Sequence, residues 1–386
     1  MTLKVFILAG EPSGDKLGGA LMEGLKQLSP GVEFKGIGGE LMQAQGLVPQ
    51  FPMEELSVMG IAEVLPKYFH LKRRIRETAE AVLAMQPDVL ITIDSPDFSL
   101  RVAKLVKAAS SIRTVHYVAP SVWAWRPKRA VKMARSIDHV LALLPFEPPY
   151  MEAAGMACDF VGHPVVAEPE ATPADIAAMR LRLGLGDGAY MIALPGSRRS
   201  EVSRLAPIFG PALGDFNSRR PDLRIVVPAA GPVAELVQQE TRSWGLEPVI
   251  FDPTGLPPEE AGRVKRALFA GADLALAASG TVSLELARAR TPMVIAYSFQ
   301  WLSWQIIRRM LLVDTATLVN LVSDSRVVPE CMGPACTAGN IAAALSSVAQ
   351  DPGPQEAAMA LTMERLGEHG EAPGLRAARA VLNRLE

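Results

Sequence analysis

Cysteine is scarce in this chain: Cys158, Cys331 and Cys336 are the only three among 386 residues, and no two form a Cys-x-x-Cys pair. That suits a reducing compartment and argues against a structural zinc site. An excess of one charge is missing too. The 39 Lys and Arg nearly balance the 41 Asp and Glu, leaving a net charge of −2, so no global basic field draws nucleic acid, and no nucleic-acid partner is expected. No uninterrupted apolar run reaches the roughly 18 residues needed to span a bilayer, so any membrane contact is expected to be peripheral. Met1 to Leu8 carries a lone Lys4 and enters a strand-like run directly, without the regions of a signal peptide; a cytoplasmic location is expected. Neither Gly-x-Gly-x-x-Gly nor a Walker A motif is present, which demotes hydride transfer.

What is present is ample apolar material, 49% of the residues, in a length that suits two domains of roughly 150 to 200 residues. Strand-like runs alternate with helical patterns. Val5–Leu8, Val89–Ile93, Thr114–Val118 and His139–Leu143 fall in the first part; Tyr190–Leu194, Arg224–Val227, Val249–Phe251, Leu274–Ala277 and Met293–Ala296 fall in the second. Such alternation predicts doubly wound parallel sheets. A Pro-, Glu- and Ala-rich stretch, Val165–Asp175, reads as a linker, which predicts an α/β domain over 1–165 and another over 166–365 facing it across a cleft. The last helix, 366–386, is assigned to the first domain. Ligands of open α/β sheets sit beyond the carboxyl ends of the strands, so the loops there are the candidate sites.

In the first domain, Gly10-Glu11-Pro12-Ser13-Gly14-Asp15 ends a strand with glycines that permit a tight turn, although Ser13 or Asp15 also fits a simple helix cap. Asp94-Ser95-Pro96-Asp97-Phe98 offers two carboxylates, either able to act as a general base on a sugar hydroxyl, Asp94 being the better placed. Their spacing departs from the Asp-x-Asp that holds a metal ion against a diphosphate, so neither metal nor cofactor is expected. The block His116 to Arg126 gathers Tyr117, Ser121, Trp123, Trp125 and Arg126, aromatic and cationic groups suited to a sugar or acyl chain or, alternatively, to packing between domains.

In the second domain, Gly196-Ser197-Arg198 offers amides, a hydroxyl and a cation to a diphosphate at a helix start, with Glu201 one turn on. Ser279-Gly280-Thr281 does likewise, and Glu285 suits ribose hydroxyls, against the alternative of plain capping. Two segments pair apolar with cationic residues as an interfacial helix does, Val58–Arg76 and Phe299–Val313.

These blocks, with Ser57-Val58-Met59-Gly60-Ile61, Leu144-Pro145-Phe146-Glu147 and Val161-Gly162-His163-Pro164, occur in an order that resembles the lipid A disaccharide synthase family of GT-B glycosyltransferases nearly end to end. The resemblance implies two Rossmann-like domains and transfer from UDP-2,3-diacylglucosamine to 2,3-diacylglucosamine 1-phosphate, giving a β(1→6) disaccharide phosphate and UDP with inversion. It implies Asp94 or Asp97 as base, Glu11, Ser13 and Met59 toward the acceptor, Arg198 on the leaving group, and Asn320 reaching the centre from the second domain. It also implies a Gram-negative envelope pathway at the cytoplasmic face of the inner membrane. The rivals are a UDP-sugar epimerase of the same architecture and a non-catalytic nucleotide-sugar-binding module.

Overall fold

A computed structural model describes residues 2–56 and 61–385, with the side chains of 61–67 and 302 outside the description. The chain divides into two compact units, one running to Ala167 and resuming at Leu366, the other Glu168–Arg365.

The first unit is built on β1 (Lys4–Ala9), β2 (Glu33–Ile37), β3 (Val89–Ile93), β4 (Arg113–Tyr117), β5 (His139–Ala142) and β6 (Ala157–Phe160). All pair in parallel, in the order β2-β1-β3-β4-β5-β6. Its helices are α1 (Pro12–Leu28), α2 (Glu40–Ala44), α3 (Ile61–Met85), α4 (Pro96–Ala109), α5 (Lys128–Met133) and α6 (Pro148–Glu152). Every residue of β3 is buried, as expected of a strand covered on both faces, where the sequence reads as a continuous apolar run.

The second unit repeats the plan with β7 (Tyr190–Leu194), β8 (Arg224–Pro228), β9 (Val249–Phe251), β10 (Leu274–Ala278), β11 (Met293–Tyr297) and β12 (Glu330–Met332), ordered β12-β11-β10-β7-β8-β9. It carries α7 (Pro173–Arg182), α8 (Arg199–Asn217), α9 (Ala234–Thr241), α10 (Pro258–Ala270), α11 (Val282–Arg288), α12 (Trp301–Met310), α13 (Leu318–Ser323), α14 (Ala338–Gln350) and α15 (Gly353–Arg365). Thr172 and Asp175 form a reciprocal capping box that starts α7 directly after the connecting segment.

The final helix, α16 (Pro373–Asn383), packs on α1 of the first unit. Small residues set this crossing: a Cβ on Gly374 would lie 2.6 Å from the Ala20 carbonyl oxygen, and one on Gly24 would lie 2.8 Å from the Gly374 oxygen. Among the described residues no helix is long and apolar enough to cross a membrane.

Each sheet reverses direction at one point. In the first, the chain moves outward from β1 to β2 on one side and to β3 on the other; in the second, from β7 to β8 and later to β10. At such switch points the flanking loops diverge and leave a crevice.

Candidate active site

The loops after β1 and β3 flank the first switch point. They approach closely, since a Cβ on Gly10 would lie 2.7 Å from Ser95 Oγ. Glu11 and Ser13 stand exposed there, and neither caps α1 with its side chain. Asp15 does not face solvent: it accepts N–H bonds from Gly39, Leu41 and Met42 and ties α1 to the start of α2. Asp94 and Ser95 both adopt left-handed backbone conformations, φ 48° and 43°, consecutive positions that cost free energy in non-glycine residues and concentrate at functional sites. The Asp94 amide donates to the Tyr117 carbonyl at 3.1 Å. Asp94 is half-buried, whereas Asp97, in the first turn of α4, is exposed.

The register of β3 and β4 decides what surrounds Asp94. Thr92 pairs with His116 and Ile93 with Tyr117, so alternation puts Thr92 and His116 on one face and Tyr117 on the other. A cavity of about 60 Å³ is lined by Asp94, His116, Val118, Pro120, Arg129 and Met133 among others. His116 Nδ1 lies 2.7 Å from Thr92 Oγ1, and burial pushes its pKa down to about 4, so the imidazole is neutral at physiological pH. Val118 holds φ 86°, an outlier for a β-branched residue.

Two expectations fail here. Tyr117 is 1% exposed and belongs to the core; the strand period turns it inward. Trp123 is also closed in. Its Nε1 donates to Glu147 Oε1 at 3.2 Å and its ring meets Phe146 edge-on, so it packs inside its own domain. Glu147, 4% exposed, also accepts from the Leu143 and Leu144 amides, and burial raises its pKa to about 7 against these bonds. Ser121 and Arg126 remain exposed, with the Arg126 guanidinium 4.2 Å from the Trp125 ring centre. Met59 lies outside the described residues.

The second switch point lies between the loops after β7 and β10. Gly196 is required twice over: its φ is 123°, and a Cβ would meet that of Glu201 at 2.5 Å. Glu201 does not turn outward to a ligand. Its Oε2 accepts the Ser197 and Arg198 amides at 3.1 and 3.3 Å, and its Oε1 accepts Arg198 Nη1 at 3.0 Å. Across the switch point, Ser279 is half-buried while Gly280 and Thr281 are exposed. Thr281 precedes α11 without a side-chain cap, so the capping alternative for this residue does not hold. Glu285 pairs with Lys265 at 2.5 Å.

Asn320 is closed in as well. It is 1% exposed, its Nδ2 donates to Thr315 Oγ1 and the Val328 carbonyl, and its Oδ1 accepts the Val328 amide. Both ends of the amide are spent on Thr315 and Val328 inside its own domain. What the sequence reading left without a role were Thr92, His116, Arg129 and Glu147. The strand register, invisible in a single sequence, sets Thr92 beside His116, and α5 brings Arg129 to the cavity that His116 lines.

The chain thus presents two Rossmann-like units, each with its glycine-bearing loops at a switch point. The sequence profile of lipid-A-disaccharide synthetases matches residues 5–380. The chain belongs to the lipid-A-disaccharide synthetase family. A lipid-A-disaccharide synthase of Ruegeria pomeroyi is 70% identical over 99% of this chain and 96% of its own length. One of Rhodospirillum centenum is 46% identical over 99% and 94%. The protein is accordingly a glycosyltransferase of lipid A biosynthesis. Among solved structures, UDP-GlcNAc 2-epimerase from Neisseria meningitidis bound to UDP-GlcNAc superposes with TM-score 0.60 at 13% identity, covering 100% of this chain and 99% of its own. A glycosyltransferase from Rickettsia africae gives 0.60 at 11% identity, covering 100% and 98%. The fold is shared between transferases and epimerases, so the family match, and not the fold, separates them.

Proposed function

We propose that the chain moves 2,3-diacylglucosamine from UDP-2,3-diacylglucosamine to the 6-hydroxyl of 2,3-diacylglucosamine 1-phosphate, with Asp94 as general base. The observation that carries this is Asp94 itself: a half-buried carboxylate in a left-handed turn at the first switch point. Asp97 is exposed in the first turn of α4, where a carboxylate serves the helix as well as it would serve catalysis. In the reaction Asp94 takes the hydroxyl proton, the oxygen attacks C1 of the donor opposite the diphosphate, the C1–O bond breaks, and UDP departs with inversion. Glu11, Ser13, Ser121 and Arg126 contact the acceptor. Arg198, Ser197, Ser279, Gly280 and Thr281 stabilise the negative charge that develops on UDP, the electrostatic part of the rate enhancement. The UDP-GlcNAc held by the Neisseria neighbour supports a nucleotide-sugar donor on this fold.

The test is UDP release from UDP-2,3-diacylglucosamine in detergent, with and without acceptor and with EDTA. Acceptor-dependent, EDTA-resistant release that falls at least ~1000-fold in Asp94→Asn is expected. No acceptor-dependent release from folded, donor-binding protein would sink the substrate assignment and favour the rivals, of which an epimerase releases no net UDP.

We also infer a peripheral site on the cytoplasmic face of the inner membrane, through α3. Tyr68 and Phe69 are 47% and 76% exposed, beside exposed Lys72, Arg73 and Arg76. Arg74, paired with Glu55 and stacked on Phe51, fastens the helix beneath them. Tyr68→Ser with Phe69→Ser should cut co-sedimentation with anionic vesicles at least ~fivefold. Unchanged binding, with a loss on Trp301→Ser and Ile306→Ser instead, would move the contact to α12.

A further inference from the structure

His116 has no role in the chemistry above, yet it shares the wall of the cavity under Asp94. Its tautomer can be read from its neighbours. The Thr92 hydroxyl has one hydrogen, which it donates to the Val115 carbonyl at 3.2 Å, a group that can only accept. The 2.7 Å contact between Thr92 Oγ1 and His116 Nδ1 is then donated by the ring, so the neutral imidazole carries its hydrogen on Nδ1 and a lone pair on Nε2. With Nδ1 turned to Thr92, Nε2 is the acceptor that the buried ring has left for the cavity. A volume of about 60 Å³ accommodates a water, which needs only ~10–15 Å³ by this kind of measure, but no sugar. Asp94 and the exposed Arg129 are the charged groups on the same wall.

We propose that His116 is a positioning residue for Asp94: its Nε2, in the tautomer set by Thr92, accepts one hydrogen of a cavity water whose other hydrogen goes to the Asp94 carboxylate, and this aims the free carboxylate oxygen at the acceptor hydroxyl. This rests on Asp94 being the base. The left-handed turn explains why such help is needed. Asp94 leaves its strand with its amide bonded to the Tyr117 carbonyl, and among the described residues no side chain hydrogen-bonds its carboxylate to orient it.

The experiment is single-turnover transfer with enzyme in excess, which keeps slow variants measurable, on His116→Asn, His116→Gln, Thr92→Val and each combined with Asp94→Asn. Asn keeps an amide donor near Nδ1 and lacks the Nε2 position; Gln places its amide oxygen, an acceptor, near Nε2. The expected result is a rate loss of about 30-fold for His116→Asn, with KM for both substrates within about twofold, recovery to within about fivefold in His116→Gln, and about a fivefold loss in Thr92→Val. In the Asp94→Asn background none of these changes should alter the rate more than about twofold, because residues that act as a unit are not additive. Equal losses with and without Asp94, or no recovery with Gln, would overturn the proposal. Should His116→Asn fail to fold, Thr92→Val and His116→Gln carry the same comparison. If Asp94→Asn alone keeps the parental rate, it is the base assignment that fails, an outcome distinct from additivity at His116.

Discussion

Glu201 holds with its own carboxylate the amides and the guanidinium of the Gly196 loop that a diphosphate would use. A second anion arriving there meets a like charge. Glu201→Gln keeps an acceptor oxygen while removing that charge, so UDP should bind more tightly by about 1 kcal/mol, roughly fivefold. Titration calorimetry checks this, and weaker binding would mean that the charged carboxylate is needed to hold the loop for its ligand. The candidate residues were legible as types and as loops, because glycines, hydroxyls and charges after apolar runs have few other uses. Their directions were not. Tyr117 sits one residue from His116, and a single strand step sends it to the core; Asn320 looks like a free polar group until its three bonds to Thr315 and Val328 are seen.

At the scale of elements, Glu147 joins two loops. It receives Trp123 from the segment after β4 and two amides from the segment after β5. Its pKa of about 7 stands above the ordinary 4.5 because burial opposes the charge. The folded state therefore favours the protonated acid: the stabilisation is complete below about 4.5 and is lost as pH rises through about 7, a swing of ~3 kcal/mol. Glu147→Gln cannot ionise, so its unfolding free energy should gain on the parent's by about that amount from pH 4.5 to 8 in urea titrations. A constant gap would show that Glu147 titrates normally. The same logic of burial explains which strands the sequence reveals. Interior strands such as β3 and β10 are apolar throughout and easily seen. Of the four edge strands, only β9 was marked by its sequence; β2, β6 and β12 contain Glu-Phe-Lys-Gly-Ile, Ala-Cys-Asp-Phe and Glu-Cys-Met, too polar or short to stand out, as edges tend to be.

At the scale of the molecule, α16 is separated from the rest of its unit by the whole of the second one. Its Ala377, Ala378 and Val381 are fully buried, against α1 and beside a backbone contact that leaves no room for a side chain at residue 374. Gly374→Val should therefore destabilise the first unit by ~3 kcal/mol through overpacking, measured by denaturant unfolding. A loss under ~1 kcal/mol would mean that the crossing can widen freely.

This crossing also orders events in time. Residues 168 to 365, which number 198 by subtraction, must leave the ribosome before α16 can dock. At ~5–20 residues per second that is roughly 10–40 s. Through that interval the nascent first unit exposes the groove beside Gly24 and Leu25, a stretch of unfinished core on which a chaperone can act, whereas the unit made later, continuous in the chain, is complete as soon as Arg365 emerges.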